Sequence, residues 1–439
     1  MFTGVDWLNK ANCDREFSVA KVATGSRMGL DELSQSGIRR MADYSPYLDQ
    51  LAGLAQQMGL RQRSNLTHVE AALRSNWALG QNSILSWAPS EQNILILVVP
   101  HYAIAEYTST RDGKLPPLVS PHFITELISG DRRLSLKQIK KVARLLQIEP
   151  VTIQLREPLE GSEVETKIIE KMIRKYGINY VPNRAVTLFD IVGFSLLTPF
   201  EQMSQLNSLS YSLNSAHSKM LEVDVGIDFA RSSSGDGFYI WNRDEGLEAS
   251  VNLYHFMHIV LADNAIARSK ASTKSVPRLR ACFHVGSCYE FHQAEGLSPS
   301  THDFIVGDVT IELARMIDAA LPGQILVGDF LADIEIFNDI GEMTVQPNVD
   351  AITFLGRAQG NLAQLSGIEL SGDRVTAIKC YLTGENMGGG KFNIRRLTIK
   401  DKHGLSRVAF NAKVNIYREA AQPILLGIQD RKLPELGLT

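Results

Sequence analysis

The sequence predicts a mixed α/β protein in three parts: a mostly helical N-terminal region, a central α/β region and a β-rich C-terminal region. Three observations support this. Apolar residues recur at three- and four-residue spacing in "SPYLDQLAGLAQQMGL" and "THVEAALRSNWALG", the pattern of amphipathic helices. The run "VTLFDIVGFS" sets Val186, Leu188 and Phe189 in an apolar strand. From about residue 372, polar and apolar residues alternate between Gly, Asn and Asp turns, as antiparallel strands do.

The 439 residues, at the usual size of roughly 100–200 residues each, make about two to four domains. A hydrophobic share of 44% and a charged share of 21% are those of a globular protein, and a net charge of −3 gives no global sign of a polyanion binder. No apolar run reaches the length of a membrane span, and "MFTGVDWLNKANCDREF" lacks the apolar segment of a leader, so a cytoplasmic protein is expected. Cys13, Cys282, Cys288 and Cys380 are scattered and form no CxxC pair. They read as reduced thiols, not as a disulfide framework or a zinc site.

Residues 1–115 form the helical N-terminal region, interrupted by "NILILVVPHY", a strand or buried helical turn stopped by Pro100. Residues 116–155 open with a Ser120–Pro121 helix start and break at Gly130–Asp131. They restart at Ser135, whose hydroxyl can cap a helix with Leu136, Ile139, Val142 and Leu145 on one face. This segment resembles the second half of a phage-type helix-turn-helix domain. Lys137, Lys140, Lys141 and Arg144 could then touch phosphates, although a solvated basic face is the simpler reading in a chain that is not basic. Residues 156–177 are a charged connector ending in a linker helix. Residues 178–365 are the central domain, and 372–439 the β-rich module. "NMGGGK" reads as a hairpin turn: a phosphate loop requires Gly where Glu385 stands, and Ser or Thr where Phe392 follows Lys391.

Two acids carry the chemistry. Asp190 ends the apolar strand, where it either caps the next turn or binds a metal. Asp236 lies in a Gly235–Asp236–Gly237 hairpin turn that can fold back beside that strand. Two carboxylates so placed repel unless a cation lies between them, and oxygen donors of this kind suit Mg²⁺ or Mn²⁺.

"VTLFDIVGFS", "SSGDGFYIW", "RACFHVGSCY" and "FIVGDVTIELARMIDAALPGQILVGDF" come one after another in an order that resembles the catalytic domain of class III nucleotidyl cyclases. The resemblance implies a ferredoxin-like α/β fold that works as a head-to-tail homodimer with its active sites at the interface. It also implies that Asp190 and Asp236 hold two Mg²⁺ or Mn²⁺ ions, assisted by the Ile191 carbonyl, and that Arg315 contacts phosphate in the transition state. Phe194 and Ser195, after Gly193, would receive phosphates at a helix N-terminus. The C-terminal strands look similar to a sensor-type module attached to some bacterial cyclases and nucleotidyltransferases.

The departures concern the substrate. Ile311 stands where the family has a ribose-orienting Asn, so either catalysis is impaired or another group, such as Thr310 or a partner-chain residue, compensates. Ser232 replaces the adenine-reading Lys, and Phe304 its partner Asp. A short and a bulky residue there suit a smaller ring. That agrees with the pyrimidine cyclases of bacterial antiphage (Pycsar) systems, which make cyclic UMP or cyclic CMP for a separate effector. The alternatives are an adenylate cyclase with an unusual pocket and a helix-turn-helix regulator whose cyclase domain has decayed into a nucleotide sensor. His284 reads as a satisfied core histidine, Cys282 and Cys288 as structural, Trp241 as packing behind the hairpin, and Glu290, His292 and the "THD" at 301–303 as surface.

Overall fold

In the computed structural model, residues 58–109, 117–294, 301–337, 343–388, 391–400 and 404–433 are described. Cys13 and all but the last residues of "SPYLDQLAGLAQQMGL" lie outside them.

Helix α1 (Leu60–Trp77) leads into a hairpin of β1 (Asn82–Ser90) and β2 (Asn93–Pro100). "NILILVVP" is therefore a strand, and its partner β1 carries no clear strand pattern for a physical reason. Ile84 and Trp87 face one core and Leu85 and Ala88 another, so burial on both sides erases the two-residue alternation. Helices α2 (Ala103–Thr108), α3 (Pro121–Leu127) and α4 (Leu136–Leu146) come next, then β3 (Val151–Gln154), which pairs with β2, and α5 (Glu163–Lys175).

Ser120 caps α3 by accepting from the Phe123 amide at 3.1 Å, and Ser135 forms a capping box with Gln138 on α4. The buried face of α4 is Ile139, Val142, Ala143 and Leu146, whereas Leu136 and Leu145 are 39% and 41% exposed. The inner stripe is thus turned from the expected one. Lys137, Lys140, Lys141 and Arg144 are exposed. Arg132, 1% exposed, ties these helices to the hairpin and to residues 178–179. Its guanidinium donates to the carbonyls of Leu85, Ile128 and Ile178 and to the Asn179 side chain, and desolvation lowers its pKa to about 9.

The centre is built from β4 (Ile178–Ile191), α6 (Pro199–Glu222), β5 (Phe229–Ser233), β6 (Gly237–Asn242), α7 (Gly246–Lys270) and β7 (Leu279–Ala294). The strands lie in the order β7-β4-β6-β5, every neighbouring pair antiparallel. Two split β-α-β units in that order are the ferredoxin-like fold.

Alternation along β4 sets its two faces. Ala185, Phe189 and Ile191 join the core under α6 and α7; Val186 and Leu188 face the other way. That second face is covered by α8 (Asp308–Ala319), which comes after β8 (Thr301–Val306), and Trp241 is buried there. Next come β9 (Ile325–Gly328), parallel to β7, the hairpin β10 (Leu331–Phe337) and β11 (Met343–Asp350), and α9 (Ala351–Asn361).

The C-terminal strands are β12 (Glu369–Leu370), β13 (Asp373–Leu382), the hairpin β14 (Gly384–Gly388) and β15 (Lys391–Ile394), β16 (Arg396–Lys400), β17 (Ser406–Arg418) and β18 (Ile424–Leu426). β17 pairs with β9, so the β-rich end of the chain continues the central sheet.

His258 on α7 is 0% exposed. Its Nδ1–H donates to the Tyr254 carbonyl at 2.6 Å, its Nε2 is buried without a partner, and burial lowers its pKa to about 3. A folded-state pKa below the unfolded value gives stability that is complete above about pH 6.5 and is lost as the pH falls, at up to ~1.4 kcal/mol per pH unit. Urea unfolding between pH 7 and pH 4 should show this slope, and His258→Phe should flatten it. An unchanged slope in the variant would count against the assignment.

Candidate metal and phosphate site

Asp190 is the last-but-one residue of β4, 4% exposed, on the face that α8 covers. Opposite it in the ladder stands Gly237, the first residue of β6. A Cβ on Gly237 would lie 1.9 Å from the Phe189 carbonyl oxygen and 3.1 Å from the Asp190 Cα. Only glycine lets the hairpin turn run this close, and the turn carries Asp236 with it. The Ile191 amide donates to the Asp236 carbonyl at 3.0 Å, which pins the two acids side by side. The expected hairpin is therefore present, and it joins Asp190, Ile191 and Asp236.

The electrostatics reflect that approach. Burial raises the Asp190 pKa to about 6; Arg280 pulls it down and Asp236 pushes it up. Arg280, missed in the sequence, is the local counter-charge. Its Nε donates to Asp190 Oδ2 at 2.7 Å and its Nη1 to the Ala320 carbonyl at 3.0 Å, just past the end of α8. The last turn of α8 holds no basic residue of its own, so this guanidinium also meets the negative end of the helix. The signal was a charge inside the apolar strand "LRACF", and pairing of β4 with β7 puts it opposite Asp190.

Among the described residues no three His, Cys, Asp or Glu side chains cluster as a metal site. The donor set is two carboxylates, one with an oxygen already engaged by Arg280. Such a set, with a backbone carbonyl and water, fits a hard divalent cation and does not fit zinc.

Gly193, at φ 72°, turns the chain out of β4 into a short 3₁₀ turn, Phe194–Leu196. The long helix does not start at Gly193. Pro199 and a capping box between Thr198 and Glu201 place the start of α6 further on. The backbone N–H groups of Gly193, Phe194 and Ser195 have no hydrogen-bond partner among the described residues, so the turn itself presents the donors.

Arg315 lies on α8, 3.7 Å from Asp318. Tyr239 faces the same helix, its hydroxyl 3.5 Å from the Thr310 carbonyl, and its pKa is raised by burial first and then by Asp318, Cys282 and Asp236. Ile311 is 51% exposed on α8. The Thr310 hydroxyl donates to the Gly307 carbonyl at 2.8 Å within its own helix cap, so it is engaged locally.

Ser232 pairs with Tyr239 near the hairpin turn. Phe304 sits at the other end of the sheet: it pairs with Phe291 on β7 and stacks on it at 5.5 Å and 12°. Asp190 faces Arg280 near the start of β7, so one chain places Phe304 and Asp190 at opposite ends of that strand.

Residues read as surface prove to be engaged. Glu290 is buried against Arg184, and Asp303 bridges His292 and Arg243. Cys282 and Cys288 are buried, and burial pushes both thiols up. His284 has an Nδ1 buried without a partner and a pKa lowered to about 4 by burial, so it is less satisfied than expected. Gly328 makes its room: a Cβ there would lie 2.0 Å from that nitrogen.

No protein-family model matches the chain, and no curated protein does. Solved structures similar to it are adenylyl and guanylyl cyclase domains. The guanylyl cyclase Cya2 is 14% identical over 53% of this chain and 92% of its own, at a TM-score of 0.32. The adenylyl cyclase CyaB from P. aeruginosa is 13% identical over 56% and 97%, at 0.29. The guanylate cyclase domain of RhGC from Catenaria anguillulae in complex with GTP is 13% identical over 39% and 100%, at 0.27. At such values the fold rests on the strand order β7-β4-β6-β5 itself. The chain is a ferredoxin-like α/β protein with a paired-carboxylate site.

Gly237→Ala should cost about 2–3 kcal/mol, because the atoms its Cβ would meet are β4 backbone, which cannot swing aside as a side chain could. Gly235→Ala, at φ 102° with nothing within 4 Å of an added Cβ, should cost about 1 kcal/mol from backbone strain alone. Denaturant unfolding of the two variants checks the order, which a reversal would contradict.

Proposed function

We propose that this protein is a class III nucleotidyl cyclase that converts a pyrimidine nucleoside triphosphate, UTP or CTP, to its 3′,5′-cyclic monophosphate and pyrophosphate. The observation that carries the reading is the Asp190–Asp236 pair, two acids held together at the strand end and hairpin turn. The reaction needs a ribose 3′-oxygen to lose its proton, attack the α-phosphorus of the same molecule and expel pyrophosphate. Two Mg²⁺ or Mn²⁺ ions, when bound, supply the charge that lowers the hydroxyl pKa and steadies the entering and leaving oxygens.

The chain's own residues do the rest. Asp190 and Asp236, with the Ile191 carbonyl, hold the cations, and Arg280 orients Asp190 by engaging one of its oxygens. The N–H groups of Gly193, Phe194 and Ser195 receive phosphate oxygens. Arg315 meets the charge that builds up on phosphate in the transition state, a role worth several kcal/mol where such donors are preorganised. Ser232 and Phe304 shape the base pocket, and the side chain of Ser232 leaves it without the charge a purine-reading Lys would bring.

The separation of Phe304 from Asp190 within one chain supports a homodimer in which each active site draws on both copies. A cyclic pyrimidine product would act as a second messenger read by a separate effector, as in bacterial antiviral defence. An adenylate cyclase with an atypical pocket is the second reading, favoured only by the fact that no residue here excludes a purine by charge.

Product analysis with ATP, GTP, CTP and UTP separately in Mn²⁺ tests this. A cyclic pyrimidine nucleotide is expected, and its loss in Asp190→Ala protein. Cyclic AMP as sole product would overturn the pyrimidine assignment. Asp190→Ala and Phe304→Arg proteins, each inactive alone, should regain activity when mixed, because one site of the mixed dimer then has both Asp190 and Phe304 intact; an inactive mixture would contradict the shared site.

A further inference from the structure

A cavity of about 500 Å³ lies where the N-terminal elements meet the far end of β7, remote from Asp190. Trp77, Tyr289 and Phe291 give it aromatic walls, and Ile104, Ile124 and Ile128 an apolar floor. Its size is that of a small-molecule site. Gly177 is fixed at its edge: a Cβ there would lie 2.5 Å from the Ile84 carbonyl oxygen, so β1 and the start of β4 close on one another without filling the space.

The polar atoms of the wall share one pattern. No Asp, Glu, Lys or Arg is among the described residues that line it. The Thr108 and Thr125 hydroxyls donate to carbonyls of their own helices, at 3.1 Å to Ala105 and 3.1 Å to Pro121, which leaves lone pairs for a ligand. The Asn82 amide donates to the Asn76 carbonyl at 2.7 Å and keeps its oxygen as an acceptor. His101 bonds the Gln81 carbonyl through Nδ1 at 3.2 Å, which makes Nε2 an acceptor in the neutral ring. Ser83, His292 and Gln293 complete the polar part of the wall; His292 is held through Nε2 by the Asp303 carboxylate at 2.7 Å, which leaves its buried, unpartnered Nδ1 as an acceptor in the neutral ring. The wall is therefore largely apolar, with acceptors in excess of donors.

We infer that this cavity binds a neutral, planar heteroaromatic molecule carrying N–H donors, of the class of indole or a free nucleobase. Phosphate esters are disfavoured, because no Lys or Arg is among the described residues of the wall to compensate their charge. Stacking against Trp77, Tyr289 or Phe291 supplies the apolar contact, and the N–H groups satisfy the acceptors. The site is remote from Asp190 and Asp236, and although Phe291 in its wall stacks on Phe304, binding to it does not depend on the proposed cyclase activity.

Fluorine NMR with 5-fluoroindole and 5-fluorouracil as probes, on the full chain, reads the binding directly. At least one probe should broaden and shift saturably with protein. Ala105→Trp, a substitution at an exposed position on the cavity rim, should weaken that probe at least about tenfold. Thr125→Val, which keeps shape and removes an acceptor, should weaken it by a smaller factor, with circular dichroism showing both variants folded. Binding of 5-fluoroindole alone would assign the indole-like class, and binding of 5-fluorouracil alone the nucleobase-like class. Failure of both probes to bind, or binding that Ala105→Trp leaves unchanged, would overturn the inference.

Discussion

Two carboxylates forced together at the end of a buried strand are the constraint on which the rest of this structure turns. Asp190 is desolvated by α8 on one side and crowded by Asp236 on the other, and both effects oppose its charge. The crowding is made by backbone: the missing Cβ of Gly237 lets β6 begin directly against Phe189 and Asp190. Arg280 offsets it by bonding Asp190 and the Ala320 carbonyl together. One guanidinium thus fixes the acid and the end of the helix that carries Arg315.

Charged groups join the N-terminal elements to this sheet and brace the sheet itself. Arg174 bonds Glu245 at 2.6 Å, Arg184 meets Glu290 and donates to the carbonyls of Asn242 and Asp244, and Arg132 reaches the first residues of β4. Buried pairs of this kind add little net stability compared with apolar packing, but losing one partner is costly. They favour one placement of α5 against β4 and the β6–α7 turn. The sheet's other edge is extended by backbone pairing, β17 on β9.

Much of the site was legible because glycine and aspartate mark turns and because alternation marks faces. The hairpin at Asp236 and the strand ending in Asp190 both come from local sequence. Arg280 did not, since its role comes from cross-strand register, which no local pattern reveals. The same holds for Glu290, His292 and Asp303: their polar neighbourhood resembled a surface loop, but they lie on β7 and β8, whose pairing brings His292 opposite Asp303. Strand β1 was hidden by burial on both faces, and the start of α6 by a 3₁₀ turn inserted after Gly193. The inner face of α4 was misjudged because leucines at both its ends stay exposed while Ala143 goes inward.

Calorimetric titration of Mn²⁺ into the wild-type protein and into Asp236→Asn protein addresses the paired acids without reference to any substrate. The account predicts saturable binding to the wild type and its loss in the variant, whose fold, with an isosteric side chain in an open turn, should persist. Equal binding by the two proteins, or none by the wild type at millimolar metal, would contradict it.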